Sequence, residues 1–276
     1  LTEVMVSPVV EALPGDAKSA SMSLLHSFYC WGSVYTILIA TLFFGIFGLE
    51  NWRYLSFYWA ILPIITAFLF AKVPINVFGG EEEERTSFLS MAKSGMFWIF
   101  VLLMLCSGAA ELAMSQWASM FVETSLGISK QIGDILGPCM FAVFMGIARV
   151  GYGKFGEKMN LQKSLCITSL ICICGYLTAS VIPAPLVNLA GCAICGFSVG
   201  IMWPGSLSLA AKAFPQGGTA LFGLLALAGD VGCTAGPELV ANISAFSTLK
   251  TGLFFAMVFP ITMIILSLIL KKKMAK

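Results

Sequence analysis

Few side chains in this chain could do chemistry, and their surroundings say more than their types. Glu111 stands in the otherwise uncharged stretch from Cys106 to Trp117, and Asp230 in Gly229-Asp230-Val231-Gly232. Glu3 lies close to the first residue, and Arg149 precedes Gly151-Tyr152-Gly153. All four fall within apolar stretches long enough, or nearly so, to lie in lipid. An ionisable group at membrane depth costs at least about 2.5 kcal/mol on insertion scales, so its retention points to function and to a protein- or water-lined surface. Ser107, Glu111, Ser115 and Ser119 recur every four residues and form one polar stripe on a helix. Two readings are open for Glu111. It is a proton- or solute-coupled carboxylate with Gln116 and Trp117 beside it, or an interhelical hydrogen bond that fixes packing. Asp230 has small neighbours that let another helix approach and bury it, which suits reversible protonation or permanent pairing with Arg149. Arg149 itself can snorkel to the interface or lock a gate. Glu3 sits about 16 Å along a helix from Pro14, which puts it near mid-membrane.

Other chemistries find little support. There is one histidine, His26, and HExxH does not occur. Cys172 with Cys174, and Cys192 with Cys195, lie in apolar helices without further ligands, and free cysteine there behaves as a small hydrophobe. An enzyme, a metal centre and a bound cofactor are therefore not expected. No basic patch exists beyond what topology explains, so nucleic acid is not a partner. Tyr29, Trp31 and Trp203 are the aromatic candidates for lining a solute cavity, alongside Gln116 and Trp117. Trp203 precedes Pro204, which removes a backbone donor and invites a kink.

The elements that carry these residues follow from hydropathy. Mean hydropathy is +0.92 and only 11% of residues are charged, far from soluble averages. A bilayer core about 30 Å thick needs about 20 helical residues. Nine apolar stretches fall at roughly 1–14, 22–48, 54–78, 95–121, 132–156, 163–183, 186–213, 217–243 and 250–270. Their continuous apolarity excludes barrel strands, so the expected fold class is an all-α membrane protein. Glu81, Glu82, Glu83 and Glu84 mark the most polar segment. Three units are expected: 1–78 with three helices, a cytoplasmic linker at 79–94, and a six-helix unit at 95–276.

Lysine and arginine set the orientation. With Lys271, Lys272, Lys273 and Lys276 cytoplasmic, Lys18, Lys72, Arg85, Lys93, Lys154, Lys158, Lys163 and Lys212 share that side, against Arg53, Lys130 and Lys250 opposite. Nine spans with a cytoplasmic C-terminus start the chain outside or within the membrane, so it reads as a fragment lacking preceding helices.

Gly153-Lys154-Phe155-Gly156-Glu157-Lys158, between two spans, resembles the second-half loop motif of the major facilitator superfamily. Gly108-x-x-Glu111 followed by Trp117 looks like the pattern of its fucose-permease-like sugar transporter branch. Trp203-Pro204, Leu209 to Pro215, and Gly229-Asp230-Val231-Gly232 with Gly236-Pro237 are similar to that branch too. Thr2-Glu3-Val4 with Ser7-Pro8 resembles its fourth helix, where a carboxylate is associated with proton coupling. The resemblance implies two six-helix bundles around a central cavity, with this chain holding the last nine of twelve helices. It implies a multi-pass, monomeric protein of the cell membrane, the bacterial inner membrane in particular. The implied activity is secondary active, proton-coupled uptake of a sugar or related small polar solute. Glu3, Glu111 and Asp230 are then coupling candidates, and Tyr29, Trp31, Gln116, Trp117 and Trp203 substrate-binding candidates. Arg149, Gly153, Glu157 and Lys158 are expected in gating or structural roles. Efflux of amphipathic compounds, or a non-transporting sensor or scaffold, are the alternatives.

Overall fold

Backbone groups in lipid must be paired within their own segment, and every regular element among the described residues is helical. The computed structural model describes residues 2–12, 17–73, 88–156 and 159–274. In chain order the helices are α1 (Thr2–Ala12), α2 (Lys18–Phe47), α3 (Trp52–Phe70), α4 (Phe88–Ala92), α5 (Gly95–Ser115), α6 (Ala118–Leu126) and α7 (Lys130–Asp134). There follow α8 (Met140–Phe155), α9 (Leu161–Val181), α10 (Pro185–Val199), α11 (Met202–Ala213), α12 (Gly218–Phe246), α13 (Leu249–Phe255) and α14 (Val258–Met274). A 3-10 turn at Leu49–Asn51 leads into α3, and a π turn at Ile135–Cys139 joins α7 to α8. Among the described residues, eight stretches, several built from two successive helices, are long and apolar enough to cross a membrane. The eleven-residue α1, at the place of the expected first span, is not among them.

Two spans break where proline chemistry places the break. Proline at position i cannot donate to the carbonyl at i−4. Accordingly α10 gives way to α11 at Gly200 and Ile201, ahead of Pro204, and α13 to α14 at Ala256 and Met257, ahead of Pro260. By contrast α12 runs unbroken through Pro237. A further break, at Gln116 and Trp117 between α5 and α6, has no proline to announce it.

Glycines set the tightest crossings. Helices in lipid associate through close backbone approach at small residues. Gly108 of α5 meets the Gly229 carbonyl, while Gly232 and Gly236 of α12 abut the carbonyls of Leu105 and Ala109. This makes α5 against α12 the most extensive helix pairing. Gly191 and Gly175 bring α10 onto α9 in the same way. The fully buried core between these helices includes Phe100, Leu103, Met104, Met114, Leu165, Tyr176, Cys192, Cys195 and Met202. Tyr176 donates from its hydroxyl to the Ala110 carbonyl at 2.7 Å, which satisfies the one polar atom of a buried ring. Only the first half of α2 is covered, from Ala20 to Cys30, where it lies on α8 and α11; α3 buries Leu55 alone.

Candidate functional site

Four helices converge on one cation. Arg149, on the sixteen-residue α8, is 2% exposed. Its Nη2 donates to Glu111 Oε2 on α5 at 3.2 Å, and Glu111 is itself 5% exposed. Its Nη1 donates to the His26 carbonyl of α2 at 2.8 Å, and its Nε to the Gly200 carbonyl, between α10 and α11, at 2.9 Å. The Tyr29 ring centroid lies 5.6 Å from Arg149 Cζ, within cation–π range. Ser23 donates from Oγ to the Arg149 carbonyl at 2.9 Å, a second tie between α2 and α8. His26 is 4% exposed, with Nε2 3.5 Å from Ser7 Oγ of α1, so the lone histidine is a buried polar contact.

Two cavities flank this ion pair. One, of about 90 Å³, is lined by His26, Tyr29, Glu111, Arg149, Trp203 and Asp230, together with Leu112 and Cys233. The other, of about 200 Å³, is reached by Tyr29, Ser33, Glu111, Ser115 and Gln116. Glu111 and Tyr29 face both. Trp203 is 7% exposed, its ring pressed on Gly229, and its Nε1 has no partner among the described protein atoms. A buried indole N–H ordinarily finds an acceptor. Here it lies buried beside the smaller cavity that Trp203 helps to line.

Several sequence expectations change on this geometry. Asp230 is exposed rather than buried, because the close-packing glycines Gly229, Gly232 and Gly236 turn a different face of α12 onto α5. The ionic partner of Arg149 is Glu111, and Asp230 lines the same cavity. Arg149 does not snorkel; its guanidinium is held inside by three acceptors. Trp117 lines neither cavity. Its Nε1 donates to the Pro237 carbonyl at 3.2 Å, so the ring ties the α5–α6 junction to α12. Trp31 also stands outside both linings and packs on Gly146 of α8. Gly153 has no room for a side chain against Leu24. The side chain of Glu3, and Glu157 and Lys158 altogether, lie outside the described residues. The polar stripe of α5 divides: Glu111 and Ser115 line a cavity, Ser107 is fully buried, and Ser119 donates to Asp134. The role of the Gly200 carbonyl was not anticipated, although Pro204 four residues on is its signal.

Broken spans, glycine-set helix crossings and a charged cavity at their centre define a multi-pass helical membrane protein. The chain belongs to the Major Facilitator Superfamily, whose sequence signature matches residues 4–237. It is 23% identical over 255 residues to the Membrane protein MosC of Rhizobium meliloti, an alignment covering 92% of this chain and 60% of that protein. The chain therefore spans about 60% of that relative's length. Its fold is similar to that of the transporter FucP in the outward conformation, with TM-score 0.76 at 14% identity, over 97% of this chain and 72% of that one. A variant of the E. coli fucose:proton symporter FucP gives TM-score 0.78 at 15% identity, over 97% and 73%. The human organic anion transporter MFSD10 gives 0.69 at 16%, over 96% and 67%.

Proposed function

We propose that the protein to which this chain belongs takes up a small polar solute, a sugar or related organic solute, together with protons. The observation that carries the reading is the buried Glu111–Arg149 pair, with Glu111 lining two small adjoining cavities. With its carboxylates ionised, the smaller cavity holds two negative charges, on Glu111 and Asp230, against the one positive charge of Arg149. One proton neutralises the set, which suits a neutral solute arriving with a proton. Tyr29, Gln116 and the free donor of Trp203 would meet the solute, and Glu3 would serve as a second coupling carboxylate. Trp31 and Trp117 then support the site from behind.

In this reading residues 1–78 form part of one bundle and 95–276 the other, joined by a cytoplasmic linker at 79–94. The C-terminus is cytoplasmic, as the lysine bias favours, and the protein works as a monomer in the cell membrane. The bundles rock about the central site to expose it alternately to either side. Protonation of Glu111 removes a charge that must otherwise be kept from lipid and so biases which side opens.

The test is a flux assay on the full-length protein in proteoliposomes, with neutral monosaccharides and polyols offered one at a time and proton movement followed by a trapped pH dye. At least one solute is expected to carry protons inward, and Glu111→Gln to abolish that coupling. Undiminished, still proton-linked uptake by Glu111→Gln would remove Glu111 from the mechanism.

A further inference from the structure

An α-helical carbonyl is normally claimed by the N–H four residues on. For Gly200 that residue is Pro204, which has no N–H. The span is interrupted there, α10 ending at Val199 and α11 beginning at Met202, and an unclaimed carbonyl in a membrane interior needs another donor. Arg149 Nε supplies it at 2.9 Å. The approach depends on Gly200 having no side chain. A Cβ there would stand 2.8 Å from Ala148 Cβ and 2.9 Å from the Met145 carbonyl, so any larger residue would push α8 away.

We infer that Pro204 and Gly200 are positioning residues that aim the Arg149 guanidinium at Glu111. The guanidinium is a planar, rigid fork. Fixing Nε on Gly200 and Nη1 on His26 fixes the direction of Nη2, and that direction meets Glu111 Oε2. Two backbone acceptors also keep the cation in place when the carboxylate is neutralised. The break in the α10–α11 span thus exposes an acceptor for the charge pair as well as bending a helix. The functional weight of the inference rests on Glu111 being the coupling carboxylate; the geometry does not. The other ionisable groups at the pair are His26 and Tyr29 from α2 and Asp230 and Cys233 from α12, with Cys30 beside Arg149.

The experiment uses the full-length protein in nanodiscs, with no solute added. Apparent melting temperatures are measured for Arg149→Met, Pro204→Ala and the pair. Arg149→Met is expected to lose about 2–4 °C less in the Pro204→Ala background, because the restored N–H serves the Gly200 carbonyl. In parallel, the Glu111 carboxyl stretch is followed by infrared pH titration and assigned by its loss in Glu111→Gln. Its midpoint is expected to move by more than about half a pH unit in Pro204→Ala. It should stay put in Pro260→Ala, which alters a break away from the site. Additive melting temperatures with an unmoved midpoint would overturn the inference. If Arg149→Met does not fold, Arg149→Lys takes its place, since one ammonium cannot span both carbonyls and the carboxylate. Absence of flux in the transport assay would sink the proton-coupled reading and leave this result standing.

Discussion

Replacing Arg149 by Met tests whether the charge pair organises the centre of the molecule. Met fills much of the same volume but removes every donor. Glu111, 5% exposed, then loses its cation, and the carbonyls of His26 and Gly200 lose their side-chain donor. Removing one partner of a buried pair costs about 3–5 kcal/mol. Each weakened carbonyl adds on the order of 1 kcal/mol, while protonation of the stranded carboxylate caps the electrostatic part. At roughly 2–4 °C per kcal/mol for a chain of this size, the apparent melting temperature should fall on the order of 10 °C. Adding Glu111→Gln removes the stranded charge, so the double variant should recover a sizeable part of that loss. The assay is intrinsic-fluorescence melting of the full-length protein in nanodiscs, comparing both single variants, the double variant and wild type. Two outcomes would refute the reasoning: Arg149→Met melting within about 1 °C of wild type, or a double variant equal to the sum of the singles.

Two further predictions concern the frame around the pair. Gly232→Ala drives a methyl group into the Leu105 carbonyl, which α5 cannot yield without leaving α12. It should cost at least about 3 kcal/mol and show as a lower yield of monodisperse protein in size-exclusion chromatography, where wild-type behaviour would contradict the packing described. Trp117→Phe keeps the ring and loses the 3.2 Å bond to the Pro237 carbonyl. Stability should drop by about 1 kcal/mol with solute affinity little changed, whereas a large loss of affinity measured by binding calorimetry would return Trp117 to the substrate-contact set.

How much was legible in the sequence depends on how local each cause is. Glu111 could be singled out because a charge in an apolar run is anomalous wherever it points. Its partner could not be named. Arg149 is 38 residues away on another helix, and Asp230 was as good a candidate until the faces of α5, α8 and α12 were set against one another. Asp230 was expected to be buried because its neighbours are small. Those neighbours do pack tightly, but on a different face of the same helix. Trp117 looked like a cavity residue by proximity to Glu111, yet the break at Gln116 and Trp117 turns it toward Pro237, 120 residues on.

The sequence by itself determined the solvent, the helical class and nearly all the spans, and it marked Pro204 as a place where a span could bend. These depend on the length of an apolar run and on a missing N–H, and both are properties of neighbouring residues. The tertiary structure alone decided which carboxylate neutralises Arg149, which indole keeps a free donor, and which carbonyl completes the cation's shell. Those depend on the rotation of each helix about its axis. That rotation is fixed by glycine-to-backbone contacts between residues far apart in the chain, where apolarity looks the same on every side.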